Sequence, residues 1–422
     1  MKLALQAPPL QYVRGSARAD RRPVSAGLLR SAAPAVVYAT LLFNFALCFL
    51  KTRGLNIGQV AVIGSEVAIL VVAGLLIFPT VSRATVAYFL ALVTYLGFLR
   101  YFNFYLDLKI GIDLSIPVLF WVLGDKYGDL KGADRIVVAA AVIMIAVGLF
   151  EWFALDEYQN YFNIFQYYVD KGSADAGQAS FSGTKLFVSG IRPAGEGREL
   201  VPGLGNHRVS SILLEPVGAG SLGAILFLWA LERFRARRVL SLWLIAGAVE
   251  IIVLADTRMG AIMCVVGLVA RLIPPLRGRL ILFATPAVMP FLILYVTNLS
   301  ARGSVDNGFM GRIYSSGHLM NAWGPLQWMG LQVSPNSPVD SGYGYLISNF
   351  GILASLLVWG FATRRSGLPA ARGFGLTTTL YYALGMCVSG ATFSIKTAAL
   401  IWFLNGVLAA QSPTADGAPA HG

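Results

Sequence analysis

Four short stretches hold the residue types able to do chemistry: "HRVSSILLEP" (207–216), "LADTRMGA" (254–261), "GFMGRIYSSGHLM" (308–320) and "PVDSGYGYLISNFGI" (338–352). The first three each carry an arginine, Arg208, Arg258 and Arg312. A guanidinium is always charged and presents a planar fork of donors matched to phosphate oxygens, so these residues point to an anionic, phosphate-bearing ligand. The fourth carries Asp340, three positions ahead of Tyr343. A carboxylate at a cavity mouth can take a proton from a hydroxyl; it can equally cap the apolar helix that follows. His318 is either a second candidate base or a partly buried polar residue. Helical spacing puts Arg208, Ser211, Ile212 and Glu215 on one face, with Pro216 kinking that helix about one turn in. Two turns, about 10 Å, separate Arg208 from Glu215, so each is expected to have another partner. Arg258 falls in the first turn of a helix, where a cation opposes the dipole. Either a ligand requires it there or it snorkels to an interface.

These stretches are set between long apolar runs. The chain has 422 residues, 56% hydrophobic and 13% charged, about half the charged share of a soluble protein. Runs of membrane-spanning length recur from residue 32 to about 411, which predicts an all-α, polytopic integral membrane protein. The runs are too long and too uniformly apolar for barrel strands. About twelve transmembrane helices are expected, at 32–50, 57–78, 84–100, 110–124, 135–155, 209–230, 239–256, 258–273, 280–298, 343–362, 374–392 and 395–411. A basic N-terminal segment, 1–31, precedes them without a cleavage pattern, and a short tail, 412–422, follows. The stretch at 110–124 is the shortest and contains Asp113 and Pro117.

Lys and Arg cluster in the short connections "RFRARR" (233–238), "RLIPPLRGR" (271–279) and "RRSGLPAARG" (364–373). The positive-inside rule then places both termini in the cytoplasm. It also explains the net charge of +12 by position, without nucleic acid. Two long segments, about 156–208 and 299–342, fall on the outer, periplasmic side. Loops of such length are usually functional or disordered. Their aromatic residues, among them Phe162, Tyr167, Tyr168, Phe181, Phe309, Trp323 and Trp328, argue for packed structure. They carry Lys171, Lys185, Arg192, Arg198, Arg208, Arg302 and Arg312 on the face that the orientation rule leaves poor in cations. An anionic ligand accounts for them, as does headgroup contact. Cys48, Cys264 and Cys387 lie within apolar runs, with no disulfide framework or thiol metal site in view. Motifs of the P-loop, G-x-S-x-G and H-E-x-x-H types are absent. The first outer connection, "KTRGLN" (51–56), has no acidic residue, so neither a metal nor another cofactor is expected.

In their order and their placement between apolar runs, "HRVSSILLEP", the "TR-x-G" hairpin, the later "GR" and "D-S-G-Y…FG" resemble the O-antigen ligase and Wzy-type polysaccharide polymerase superfamily, over about residues 30–410. The resemblance implies that Arg208, Arg258 and Arg312 bind the diphosphate of an undecaprenyl-linked oligosaccharide at the outer face of a bacterial inner membrane. Asp340 stands where the ligases have a catalytic His, and Tyr343 matches the motif's Tyr. That departure favours a polymerase of the exopolysaccharide, xanthan-type kind over a ligase. Catalytic residues are then Asp340, Arg312 and Arg208, with Asp340 or His318 as base. Arg258, Tyr343, Glu215, Arg192, Arg198 and His318 are expected to bind substrate. Implied partners are the lipid-linked donor and acceptor and membrane lipid, with a chain-length regulator and export machinery left open. A transporter is the alternative from another class, with Glu66, Glu151, Glu215 and Glu250 available for proton coupling.

Overall fold

The computed structural model describes residues 25–104, 106, 109–175, 177, 183–192, 198, 200–272, 275–299, 309–332, 341–366 and 372–411. Asp340, Phe181 and Arg302 lie outside them. Among the described residues there is no strand, only one isolated bridge between Ile191 and His207. The helices are α1 (Ser25–Thr52), α2 (Gln59–Ile77), α3 (Arg83–Phe102), α4 (Lys109–Tyr127), α5 (Leu130–Phe153), α6 (Leu155–Tyr161), α7 (Ile164–Asp170), α8 (Pro216–Arg233), α9 (Arg238–Ala255), α10 (Arg258–Ala270), α11 (Pro275–Leu299), α12 (Phe309–Asn321), α13 (Pro325–Trp328), α14 (Gly342–Phe350), α15 (Ile352–Ser366), α16 (Arg372–Met386) and α17 (Ile395–Ala409).

A helix occupies most of each of the twelve apolar stretches. Five are long and apolar enough to cross a membrane: Ser31–Thr52, Gln59–Thr80, Arg83–Phe102, Leu130–Phe153 and Arg238–Ala255. A sixth is reached if α14 and α15 count as one span. That pair bends by 108°, so the single helix expected over 343–362 is broken. Gly351 ends α14 at φ 74°, a conformation that favours glycine. A Cβ there would meet the Met329 carbonyl at 2.5 Å, so the break is wedged against the end of α13.

α17 and α4 form the buried centre. The backbones touch at two glycines: a Cβ on Gly124 would lie 2.1 Å from the Phe403 carbonyl, and one on Gly406 2.0 Å from that of Trp121. Such close approach is how small residues hold helices together where lipid supplies no hydrophobic drive. Two carboxylates within apolar helices, Asp113 and Asp134, are paired. Lys109 donates to Asp113 one turn on, at 2.8 and 2.9 Å, and the Tyr345 hydroxyl donates to the same carboxylate. Asp134 accepts from Arg233 twice and from the Trp229 indole, each at 3.0 Å.

The long segment after α5 packs as its aromatic content predicted. Tyr158, Phe162, Tyr167, Tyr168 and Leu186 form a second core with Cys48, Val62 and Leu214. The later one contributes α12 and α13, with Trp323 against Trp328.

Candidate functional site

The helix expected to begin at 209 begins at Pro216 instead. Proline is pre-set for the first helical position and loses nothing there, because its missing N–H would have no intrahelical acceptor. It therefore starts α8 rather than kinking it. Residues 207–215 form no α-helix; a single 3-10 turn spans Ser211–Leu213, with Ser211 and Leu214 at φ 50° and 64°. The shared face of Arg208, Ser211, Ile212 and Glu215 does not exist. Ile212, Leu213 and Leu214 are all buried, so their apolar character comes from burial and not from a helix.

The chain before α8 is tied down at its backbone. The Arg208 amide donates to the Gly190 carbonyl at 2.8 Å, and the Val209 amide to Leu254 at the end of α9 at 3.0 Å. Below it stands Glu151, fully buried near the end of α5. Its carboxylate accepts from the Ser210 amide at 3.0 Å, from the Ser211 amide at 2.6 Å and pairs with His207 Nε2 at 3.1 Å. Sequence reading had offered Glu151 only as a proton carrier. A carboxylate in an apolar run reads the same whether it carries protons or anchors a distant segment.

The turn from α9 to α10 organises what lies above. Asp256 caps α9 in the left-handed region, φ 49°, and is wholly buried. Its Oδ2 accepts from Arg192 Nε and Nη2 at 3.1 and 2.9 Å, and its Oδ1 from the Leu200 amide at 3.0 Å. Its backbone carbonyl accepts from Arg208 Nη2 at 3.3 Å. Arg208 Nε donates to the Ala255 carbonyl at 3.2 Å and its Nη1 to Ser189 at 3.1 Å. Arg208 thus sits on the C-terminal, negative end of the α9 dipole. Gly220 of α8 lets this turn approach: a Cβ there would strike Thr257 Oγ1 at 1.8 Å.

The result is one cavity of about 360 Å³ lined by Arg192, Arg208, Arg258 and Arg312. Arg258 enters from the first residue of α10 and is exposed; Arg312 enters from α12, where its Nη1 donates to the Val388 carbonyl at 3.3 Å. Among the described residues Asp256 is the one carboxylate in the lining, so four guanidinium groups less one carboxylate give that lining a formal charge of +3.

The other predicted site residues stand elsewhere. Arg198 is 2% exposed, donates to the Val253, Leu254 and Leu204 carbonyls and lies over the Trp152 ring at 5.0 Å. Burial pulls its guanidinium below the ordinary value, against the opposing charge of Asp256. It braces α9 rather than lining the cavity. His318 is exposed on α12 and Tyr343 is buried in α14 beside a different, small cavity. The capping task considered for Asp340 falls to Ser341, whose hydroxyl accepts from the Gly344 amide at 2.9 Å. Glu215 faces a separate small pocket, where Lys396 Nζ stands 3.5 Å from its Oε1. Lys396 went unnoticed in the sequence; a lone lysine in "SIKTAAL" (394–400) is the signal that marks it. Among the described residues no group of three or more His, Cys, Asp or Glu is placed to hold a metal ion.

No protein-family model, curated protein or solved structure matches this chain.

Proposed function

We propose that this protein is a membrane glycosyltransferase that polymerises undecaprenyl-diphosphate-linked oligosaccharide repeat units into exopolysaccharide or O-antigen. In this reading the chain crosses the inner membrane about twelve times with both termini in the cytoplasm, and the arginine cavity opens on the periplasmic side. The observation that carries it is the convergence of Arg192, Arg208, Arg258 and Arg312 on one cavity of about 360 Å³ with an excess of positive charge. A diphosphate is the complementary ligand, because each oxygen pair fits a guanidinium fork.

The chemistry is a displacement at the anomeric carbon. An acceptor hydroxyl forms the new C–O bond as the bond from that carbon to the diphosphate oxygen breaks. The electron pair leaves with undecaprenyl diphosphate, and preorganised cations stabilise the charge that grows there. The hydroxyl proton passes to a carboxylate; at the position of the ligases' catalytic His this chain carries Asp340.

Arg258→Ala and Arg312→Ala test the reading, because both side chains line the cavity. Each is expected to leave lipid-linked units in the outer leaflet but unpolymerised. Units held at the inner leaflet would favour transport, and polymer of normal length in both variants would remove the cavity from the reaction.

A further inference from the structure

The carboxylates of Glu151 and Glu215 flank the same irregular segment but are used differently. Glu151 is saturated by two amides and His207. Glu215 is the N-cap residue of α8, yet its side chain caps nothing. Among the described residues its ion-pair partner is Lys396, at 3.5 Å. Lys396 is itself held, donating to the Leu213 carbonyl at 3.0 Å and to the Tyr168 hydroxyl at 3.3 Å. The carboxylate therefore faces a pocket whose wall carries the hydroxyls of Ser221, Ser389, Thr392, Ser394 and Thr397. The pocket holds about 30 Å³. About 10–15 Å³ accommodates one water, so the space suits a hydroxyl group and is too small for a sugar ring. Val217, Met259 and Val388 line both this pocket and the arginine cavity, so the two adjoin at these three side chains.

We infer that Glu215 is the general base of the transfer and that its pocket receives the acceptor hydroxyl. This rests on the glycosyltransferase reading above. The acceptor O–H passes its proton to the Glu215 carboxylate as the oxygen bonds to the anomeric carbon and the diphosphate leaves with its electron pair. Lys396 holds the carboxylate in place and balances its charge. Asp340 is then dispensable for proton transfer.

The test uses the full chain in lipid nanodiscs and in a host lacking its own copy. Two quantities are read: binding of farnesyl diphosphate, a short soluble prenyl diphosphate, and polymer formed from lipid-linked units. Glu215→Gln keeps the shape and removes the base, so farnesyl diphosphate binding should stay within about twofold while polymer formation falls about 10²–10⁴-fold, the usual range for a general base. Normal polymer in Glu215→Gln overturns the inference, as does loss of polymer in Asp340→Asn alone. Loss of farnesyl diphosphate binding in both Glu215→Gln and Glu215→Asp also overturns it, by making the carboxylate a support for the arginines. Failure of the underlying reading looks different: the unmodified chain forms no polymer, or Arg312→Ala binds farnesyl diphosphate as tightly as it does.

Discussion

Removing the Glu151 carboxylate asks whether the Arg208 segment is held from below. In Glu151→Ala the Ser210 and Ser211 amides lose acceptors at 3.0 and 2.6 Å, and His207 loses its partner at 3.1 Å. A hydrogen bond to a charged group is worth about 1.5–3 kcal/mol, so the two amides together account for about 3–6 kcal/mol. Local opening of 207–215 should then become about 10²–10⁴-fold more populated, at about 1.4 kcal/mol per tenfold. Hydrogen–deuterium exchange with mass spectrometry in nanodiscs reads this as faster exchange in peptides spanning 205–215. Peptides from α3, which packs on α4 and not on this segment, serve as the reference. Farnesyl diphosphate binding should weaken in parallel, because the Arg208 amide is tied into the same segment. Glu151→Gln should be intermediate, since its NH₂ would face an amide donor. Unchanged exchange across 205–215 in Glu151→Ala refutes the anchor and the account of how Arg208 is placed.

Arg198→Ala should lower the thermal midpoint while leaving farnesyl diphosphate affinity within about twofold once folded, whereas Arg192→Ala should weaken binding about tenfold or more, as loss of one charge-assisted contact implies; equal binding losses in the two would erase the distinction. Gly220→Val drives a side chain into Thr257 Oγ1 and should destabilise by about 1–3 kcal/mol, while Gly64→Ala on α2, with nothing within 4 Å, should be neutral or stabilising; thermal unfolding followed by intrinsic fluorescence compares them. Burial, and next the charge of Lys396, push the Lys171 ammonium down to about 8. Its folded value lies below its unfolded one, about 10.4, so the unfolded chain binds more protons between these values and stability should rise with pH across that window. Below about 8 the penalty is fully present. Lys171→Met should abolish the rise in thermal midpoint between pH 8 and 10, and a rise of the same size in the variant would assign it to another group.

The helical architecture was legible because its cause is compositional: a chain this apolar satisfies its backbone in helices wherever they fall. The aromatic packing of the segment after α5 was legible for a related reason, since Tyr167 and Tyr168 have to bury their area somewhere. Arg208, Arg258 and Arg312 were found by type and place, and the cavity gathers them with Arg192. What escaped is whatever depends on a partner distant in sequence. The start of α8 was misread because Ile212, Leu213 and Leu214 are buried by tertiary contact in a 3-10 turn and its end, which produces the same apolar run as an α-helix. Proline at 216 is consistent with a kink or a first residue, and only the chain before it decides. Arg198 and Arg208 look alike in sequence, yet one is buried as a brace and the other lines the cavity. Asp256 sits at the turn that ends α9; that its carboxylate also fixes Arg192 follows from a pairing 64 positions apart.

Gathering four arginines raises a repulsion that the fold has to offset, and the way it does so argues for an anionic ligand. Arg192 is neutralised by Asp256, and Arg208 rests on carbonyls at the end of α9. That helix end contributes about half a negative charge, and the start of α10 at the same turn about half a positive one, so the two poles cancel. Among the described residues no second carboxylate lines the cavity. The formal excess of +3 therefore stands against the two or three negative charges that a diphosphate carries. A neutral sugar alone leaves that repulsion in place. Binding of a diphosphate should consequently weaken with added salt, while binding of the free oligosaccharide should not. Equal salt dependence for the two would mean that the arginines serve the fold and not the ligand.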